Sequence, residues 1–463
     1  MDDVSVPNRQ SQSKLFSLPS ELRNLVYGYY LTAPGGYHYR YETNRLTEMD
    51  GTLIDLEFLY TCKFAAAEMH GLIFTLNTVK FSTFYNEATS DHAGQYHYMQ
   101  LRDEGSRSRL LRAFRGCIDQ DSCNKLEADF PQFLPVIRQL HGMGVISVDG
   151  LADDSWGEAP SLYRRFVIRV LEALLEDADW NMEGSNHKTI EVVSLQHSPW
   201  LIPDSNEIAD IRRSLQHNLH LLQSLQRTKY SFSAASAAIR FFSSMPASIR
   251  CRFRRVLLDE NHVAAAWPEC HVQGLLPYCQ ENGALRIERR VDLWRNALPA
   301  GASRMNGFYC GQGRLRPLRA EYITRSCLAP WIMEALALDD LGMPPQCFKL
   351  VFNGQPIPAR SAEVFKIVQR DAAWQTVFEE HRADHHNKMS WFETRRNAGY
   401  QMRGFPEALA AIADDTSIVS CNFSLASFDY SSSIRQAAQG WSMKEWEEQW
   451  SKHEPRTFDA QAP

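Results

Sequence analysis

The sequence predicts a protein of mixed α+β or α/β class. A short helical N-terminal module is followed by an irregular, loosely repetitive strand–helix body and then a mainly helical C-terminal region. Three observations lead to this reading. Apolar residues recur at spacings of three and four near the N-terminus, the mark of amphipathic helices. Short β-branched or leucine-rich runs, flanked by glycine or polar residues, alternate with helical stretches through the middle, and such alternation favours parallel pairing. The third is length: 463 residues exceed what one ordinary core organises. With 44% hydrophobic and 22% charged residues the composition is that of a globular protein, and a formal charge of −6 provides no overall attraction to nucleic acid.

Residues 1–14 are polar, read as a flexible tail, and lack the apolar core of a secretory signal peptide. The stretch LPSELRNLVYGYYL (18–31) opens as a helix. Pro19 sits where a missing N–H costs nothing, and Glu21 lies in the first turn, where the helix dipole favours a carboxylate. Leu18, Leu22, Leu25, Val26 and Tyr29 form one apolar stripe. Leu59, Cys62, Ala66, Met69 and Ile73 repeat the spacing, after which Val79 and Phe81 share a face of a strand. Between the two helical pieces lies APGGYHYRYETNRLTEMDG (33–51).

The order Leu-Pro-x-Glu-Leu-Arg-Asn at 18–24, with a tyrosine-rich helix end, resembles the F-box-like N-terminal module of many filamentous-fungal proteins. That resemblance covers 15–85 and implies an interaction unit. It implies that Leu18, Pro19, Leu22, Val26 and Leu59 take part in a helical surface engaging a Skp-family adaptor. The chain would then be a substrate receptor of a cullin-type ubiquitin ligase. The 33–51 connection is longer than the standard F-box has. The same residues could instead pack the helices against the body, leaving a scaffold without an adaptor surface.

In the body, 86–300, helices are expected at 108–118, 161–178, 208–225 and 233–245, and strands at 144–150, 188–196 and 253–260. The strand spacing, on the order of 45 to 65 residues, exceeds that of a leucine-rich repeat. The strands are expected side by side in one sheet, with right-handed crossovers stacking the helices on a common side. Arg252 and Arg254 are expected to alternate within the last strand, share one face and meet an acidic partner segment. The stretch at 266–298 resembles a segment of the same fungal proteins, and its RIERRVDLWRNAL (286–298) reads as a short helix. Residues 301–320 read as a loop or linker. The region 321–463 reads as mainly helical, with helices at 321–338, 361–380 and 440–452 and a strand with a turn at 350–359.

No catalytic, cofactor-binding or metal site is expected. The ten cysteines are scattered singly, as small buried hydrophobes of a reducing compartment, and cytoplasm or nucleus is the expected location. His381, His385 and His386 lack further ligands, and Cys270, His271 and Cys279 lack a C-x-x-C knuckle. Gly307, Gly311 and Gly313 follow no strand and precede no Gly-Lys-Ser/Thr. No G-x-S-x-G, H-E-x-x-H, kinase or deaminase signature occurs, although an enzyme assembled from distant residues stays open. In the C-terminal WSMKEWEEQW, Trp446 and Trp450 share a face with Met443 and are expected to dock on the protein's own body or on a partner.

Overall fold

Period-two alternation of apolar with charged residues organises the centre of the molecule. The computed structural model describes residues 12–113, 116–142, 155–176, 197–215, 229–301, 322–384, 389–425 and 429–453. Within them the strands are Tyr37–Arg40 (β1), Arg45–Thr47 (β2), Thr78–Ser82 (β3), Arg255–Glu260 (β4), Arg286–Asp292 (β5), Phe348–Asn353 (β6) and Val419–Cys421 (β7). They form one sheet in the order β2-β1-β3-β4-β5-β6-β7. Only β1 and β2 run antiparallel; each further neighbour is parallel. The fold is thus mixed helix and sheet, as the alternation predicts.

The helices used below are Ser20–Leu31 (α1), Lys63–Met69 (α2), Leu72–Leu76 (α3), Glu87–Ala113 (α4), Pro160–Glu176 (α5) and Ala234–Ser243 (α6). The C-terminal region adds Ala329–Leu336 (α7), Pro358–Asp384 (α8), Phe405–Ala413 (α9) and Met443–His453 (α10), besides contributing β6 and β7. Among the described residues no helix is long and apolar enough to cross a membrane.

Because strand order follows chain order from β3 to β7, right-handed crossovers place successive connections on one side of the sheet. Burial agrees. Val79, Phe81, Val256, Leu258, Ile287, Val291, Phe348, Leu350 and Phe352 point inward into one core with apolar residues of α6, α7, α8 and α9. The residues between them, Lys80, Leu257, Asp259, Glu288, Arg290, Lys349 and Val351, are half-buried or exposed on the opposite face.

The sequence reading is corrected in four places. Residues 286–292 form β5, in the middle of the sheet, and a helical turn begins only at Leu293. The misreading has a physical cause: Arg289 stands at an inward position and is 1% exposed. It donates from Nε (3.0 Å) and Nη2 (2.7 Å) to Glu260 Oε1, and to the Pro268 (2.7 Å) and Glu269 (3.2 Å) carbonyls. Glu260 also accepts the backbone N–H groups of Ala234 (3.0 Å) and Ala235 (3.3 Å) at the start of α6, where the helix dipole favours a carboxylate. A satisfied ion pair therefore occupies a place where the pattern calls for a hydrophobe.

Second, β4 has β3 and β5 on its two edges. It is not flanked by the strands expected at 144–150 and 188–196, which lie outside the described residues. Third, Arg252 and Arg254 precede the strand, which starts at Arg255. Arg252 occupies a turn and Arg254 folds back to donate to the Cys251 (2.9 Å) and Phe253 (3.0 Å) carbonyls, so strand alternation does not align them. Fourth, part of the 33–51 connection is the β1–β2 hairpin, which extends the sheet at its edge. The sheet thereby joins the N-terminal segment to the body, since β3 pairs directly with β4.

Candidate partner-binding surfaces

The first candidate surface is α1, which is built inside out. Its buried residues are Arg23, Tyr27 and Leu31, whereas Leu22 is 46%, Leu25 59%, Val26 40% and Tyr29 87% exposed. The inward face is polar and held by Glu68 of α2. Arg23 Nε donates to Glu68 Oε2 at 2.8 Å, its Nη2 pairs with Glu68 Oε1, and Tyr27 donates its hydroxyl to Oε2 at 2.6 Å. Burial and the bond to Glu68 push the Tyr27 phenol up to about 12. Beneath these bonds Phe16, Tyr27, Leu31, Ala65 and Met69 form a small core of their own. Asn77 fastens the helix end, donating to the Leu31 (2.8 Å) and Ile73 (2.9 Å) carbonyls while accepting from Ala33 N (2.9 Å).

With α1 anchored this way, residues at i, i+3, i+4 and i+7 face solvent as a continuous apolar stripe. Of the residues that the F-box-like resemblance points to, Leu22 and Val26 lie on the stripe and Pro19 is exposed just before the helix. Leu18 is half-buried, with its carbonyl held by Arg23. Leu59 packs against the small core that supports α1 and does not belong to the outward stripe. Leu25 and Tyr29 complete it.

The second candidate surface is the open face of the sheet. Register places Lys80, Leu257, Glu288 and Lys349 in one row, and Ser82, Asp259, Arg290 and Val351 in the next. The face carries seven cations (Arg40, Arg45, Lys80, Arg255, Arg286, Arg290 and Lys349) and three carboxylates (Asp259, Glu288 and Asp292), a net of +4 on a chain of net −6. All three carboxylates are engaged: Asp259 by Lys80 at 2.7 Å, Glu288 by Arg290 at 2.6 Å, and Asp292 by the backbone N–H groups of Trp294 and Arg295, both at 2.9 Å. Arg40, Arg255, Arg286 and Lys349 have no carboxylate partner among the described residues. Arg252 lies near the turn between α2 and α3, where a Cβ on Gly71 would sit 2.7 Å from its Cγ. Reading the sequence missed the row because its members come from strands as much as 270 positions apart. Only the topology makes them neighbours.

The candidate metal ligands are occupied otherwise. His271 is fully enclosed, with Nε2 2.7 Å from the Ala266 carbonyl and Nδ1 2.7 Å from Ser233 Oγ. A carbonyl only accepts, so Nε2 carries the proton and Nδ1 accepts from the serine. Burial pushes this imidazole down to about 3. Cys270 and Cys279 are buried thiols raised by desolvation. No group of three potential metal ligands occurs among the described residues. His381 lies against Trp446 at 5.6 Å, while His385, His386 and the three glycines Gly307, Gly311 and Gly313 lie outside the described residues. The C-terminal helix docks on the body: Trp446 and Trp450 stand 5.2 and 5.3 Å from Trp374.

No family model, curated protein or solved structure matches this chain.

Proposed function

We propose that the chain is a protein–protein interaction subunit, the substrate receptor of a cullin-type ubiquitin ligase. Its α1 stripe docks a Skp-family adaptor that brings in the cullin, and its open sheet face receives the target. The observation that carries this reading is the outward stripe of Leu22, Leu25, Val26 and Tyr29 on a helix tied down by polar bonds. Exposed contiguous apolar surface of this kind marks an interaction site, and a helix-packing partner would bury it. The F-box-like order at 18–24 selects the adaptor as that partner. On the target side, cations without a carboxylate partner favour an acidic segment, and Arg252 and Arg254, just ahead of β4, are the further arginines assigned to it. Such a receptor works in the cytoplasm or nucleus.

Affinity purification of the tagged chain tests the proposal. The expected result is recovery of an adaptor and a cullin, together with an acidic target whose yield falls when Arg252 and Arg254 become glutamate. Recovery of neither adaptor nor cullin, from cells that contain both, sinks the receptor reading and leaves a scaffold.

A further inference from the structure

Away from both surfaces, a cavity of about 250 Å3 lies between α4, α5 and the 3-10 segment Pro268–Leu275. An apolar protein cavity of ~150 Å3 takes up benzene, so this space suits a system of about two fused rings. Trp267 and the 3-10 segment follow the carboxyl end of β4, the side of an α/β sheet where ligands commonly bind.

Two tryptophans line the cavity, and the backbone fixes both. Ala266 and Trp267 adopt left-handed backbone in succession, with φ of 59° and 57°. That conformation is costly for residues with a side chain and collects at ligand sites. Here Ala266 N donates to His97 Nδ1 at 3.0 Å, and the Ala266 and Trp267 carbonyls accept from His271 Nε2 (2.7 Å) and Cys270 N (3.2 Å). Arg164 stacks over the Trp267 ring at 4.5 Å. Trp200 leans on Gly274 of the 3-10 segment, where a Cβ would stand 2.6 Å from its Nε1.

The charged groups around the cavity satisfy one another. Arg102 pairs with Asp103 at 2.9 Å, and Asp103 and Glu104 both act on Arg107. Arg164 lies 3.9 Å from Glu104 and from Glu334 and also feels Glu269, while Arg165 feels Glu334. Four guanidinium groups (Arg102, Arg107, Arg164 and Arg165) thus meet four carboxylates (Asp103, Glu104, Glu269 and Glu334), and no net charge calls for an ionic ligand.

What the lining offers instead is acceptor oxygen. Gln100, 4% exposed, donates Nε2 to the Tyr96 hydroxyl (2.8 Å) and the His197 carbonyl (3.1 Å). Gln273 donates Nε2 to Ser161 Oγ (2.7 Å) and Glu334 Oε2 (3.1 Å). Both amide nitrogens are therefore committed, and neither Oε1 has a hydrogen-bond partner among the described residues.

We propose that this cavity binds a neutral, fused two-ring aromatic base with N–H donors, of the aminopurine type. The ring lies against Trp200 and Trp267, and its N–H groups donate to Gln100 Oε1 and Gln273 Oε1.

Calorimetric titration of the full chain at neutral pH tests this, with adenine, quinoline and adenosine monophosphate as probes. Adenine is expected to bind one per chain. Quinoline, with two rings and no N–H, should bind at least about tenfold more weakly, and the dianionic nucleotide no more tightly than adenine. Trp200→Ala and Gln100→Leu should each weaken adenine by about tenfold or more, read on variants that keep the parent's circular dichroism. The proposal is overturned if adenine does not bind at about 1 mM, or if quinoline binds as tightly as adenine. It is equally overturned if the nucleotide binds more tightly than adenine, or if both variants bind adenine as the parent does.

Discussion

Two helices at opposite ends of the chain carry apolar stripes and turn them in opposite directions. In α10 the stripe faces inward: Trp446 and Trp450 are 1% and 4% exposed against Trp374 and Phe378 of α8. In α1 the stripe faces outward, and the side turned to the body carries Arg23 and Tyr27. The difference lies in what each helix meets. α8 offers an aromatic surface to α10, whereas α2 offers a carboxylate, Glu68, that an arginine and a phenol can satisfy. An amphipathic pattern fixes a helix and its two faces; the neighbouring element decides which face is hidden.

This contrast orders the expected effects. Trp446→Ala removes a large side chain from a packed site and should cost about 3–5 kcal/mol in denaturant unfolding. A loss below about 1 kcal/mol would mean that α10 is not docked as described. Next in size is a pH effect seated in the body. His271 is neutral in the folded state, with its imidazole pushed down to about 3, while the unfolded chain titrates near the ordinary value of about 6.5. Between those values the unfolded state binds the extra proton. His271 therefore contributes stability in full above about pH 6.5 and loses it progressively towards about pH 3, at up to about 1.4 kcal/mol per pH unit. Unfolding measured across that window should show a shallower slope in His271→Gln than in the parent; equal slopes would contradict the buried neutral ring. The smallest effect belongs to α1. Tyr29→Ser, on a side chain 87% exposed, should shift stability by no more than about 0.5 kcal/mol.

The sequence made the elements more legible than their contacts. Spacing located α1, the Val79–Phe81 strand, β4 and, in the strand and turn expected at 350–359, most of β6, because each follows the period of its class. It failed at 286–292, where Ile287 and Val291 alternate with Glu288 and Arg290 but Arg289 takes an inward place. Glu260, which makes that place tenable, lies 29 positions earlier. Similarly, α1's stripe could be found by spacing, but its direction depends on Glu68, 45 positions from Arg23. The basic face was legible only in pieces. Arg255 and Arg286 belong to the arginine-rich runs RCRFRR (250–255) and RIERR (286–290), but with Lys349 they become one surface only when β4, β5 and β6 pair.

The central claim is that α1 presents its apolar stripe to a partner and not to the protein's own core. The most direct test is the pair Leu22→Asp and Val26→Asp in one chain, with adaptor recovery and melting temperature measured on the same preparation. The account predicts adaptor recovery reduced to background, with a melting temperature like that of the parent. Undiminished recovery, or a melting temperature lowered as by loss of a core residue, would contradict it.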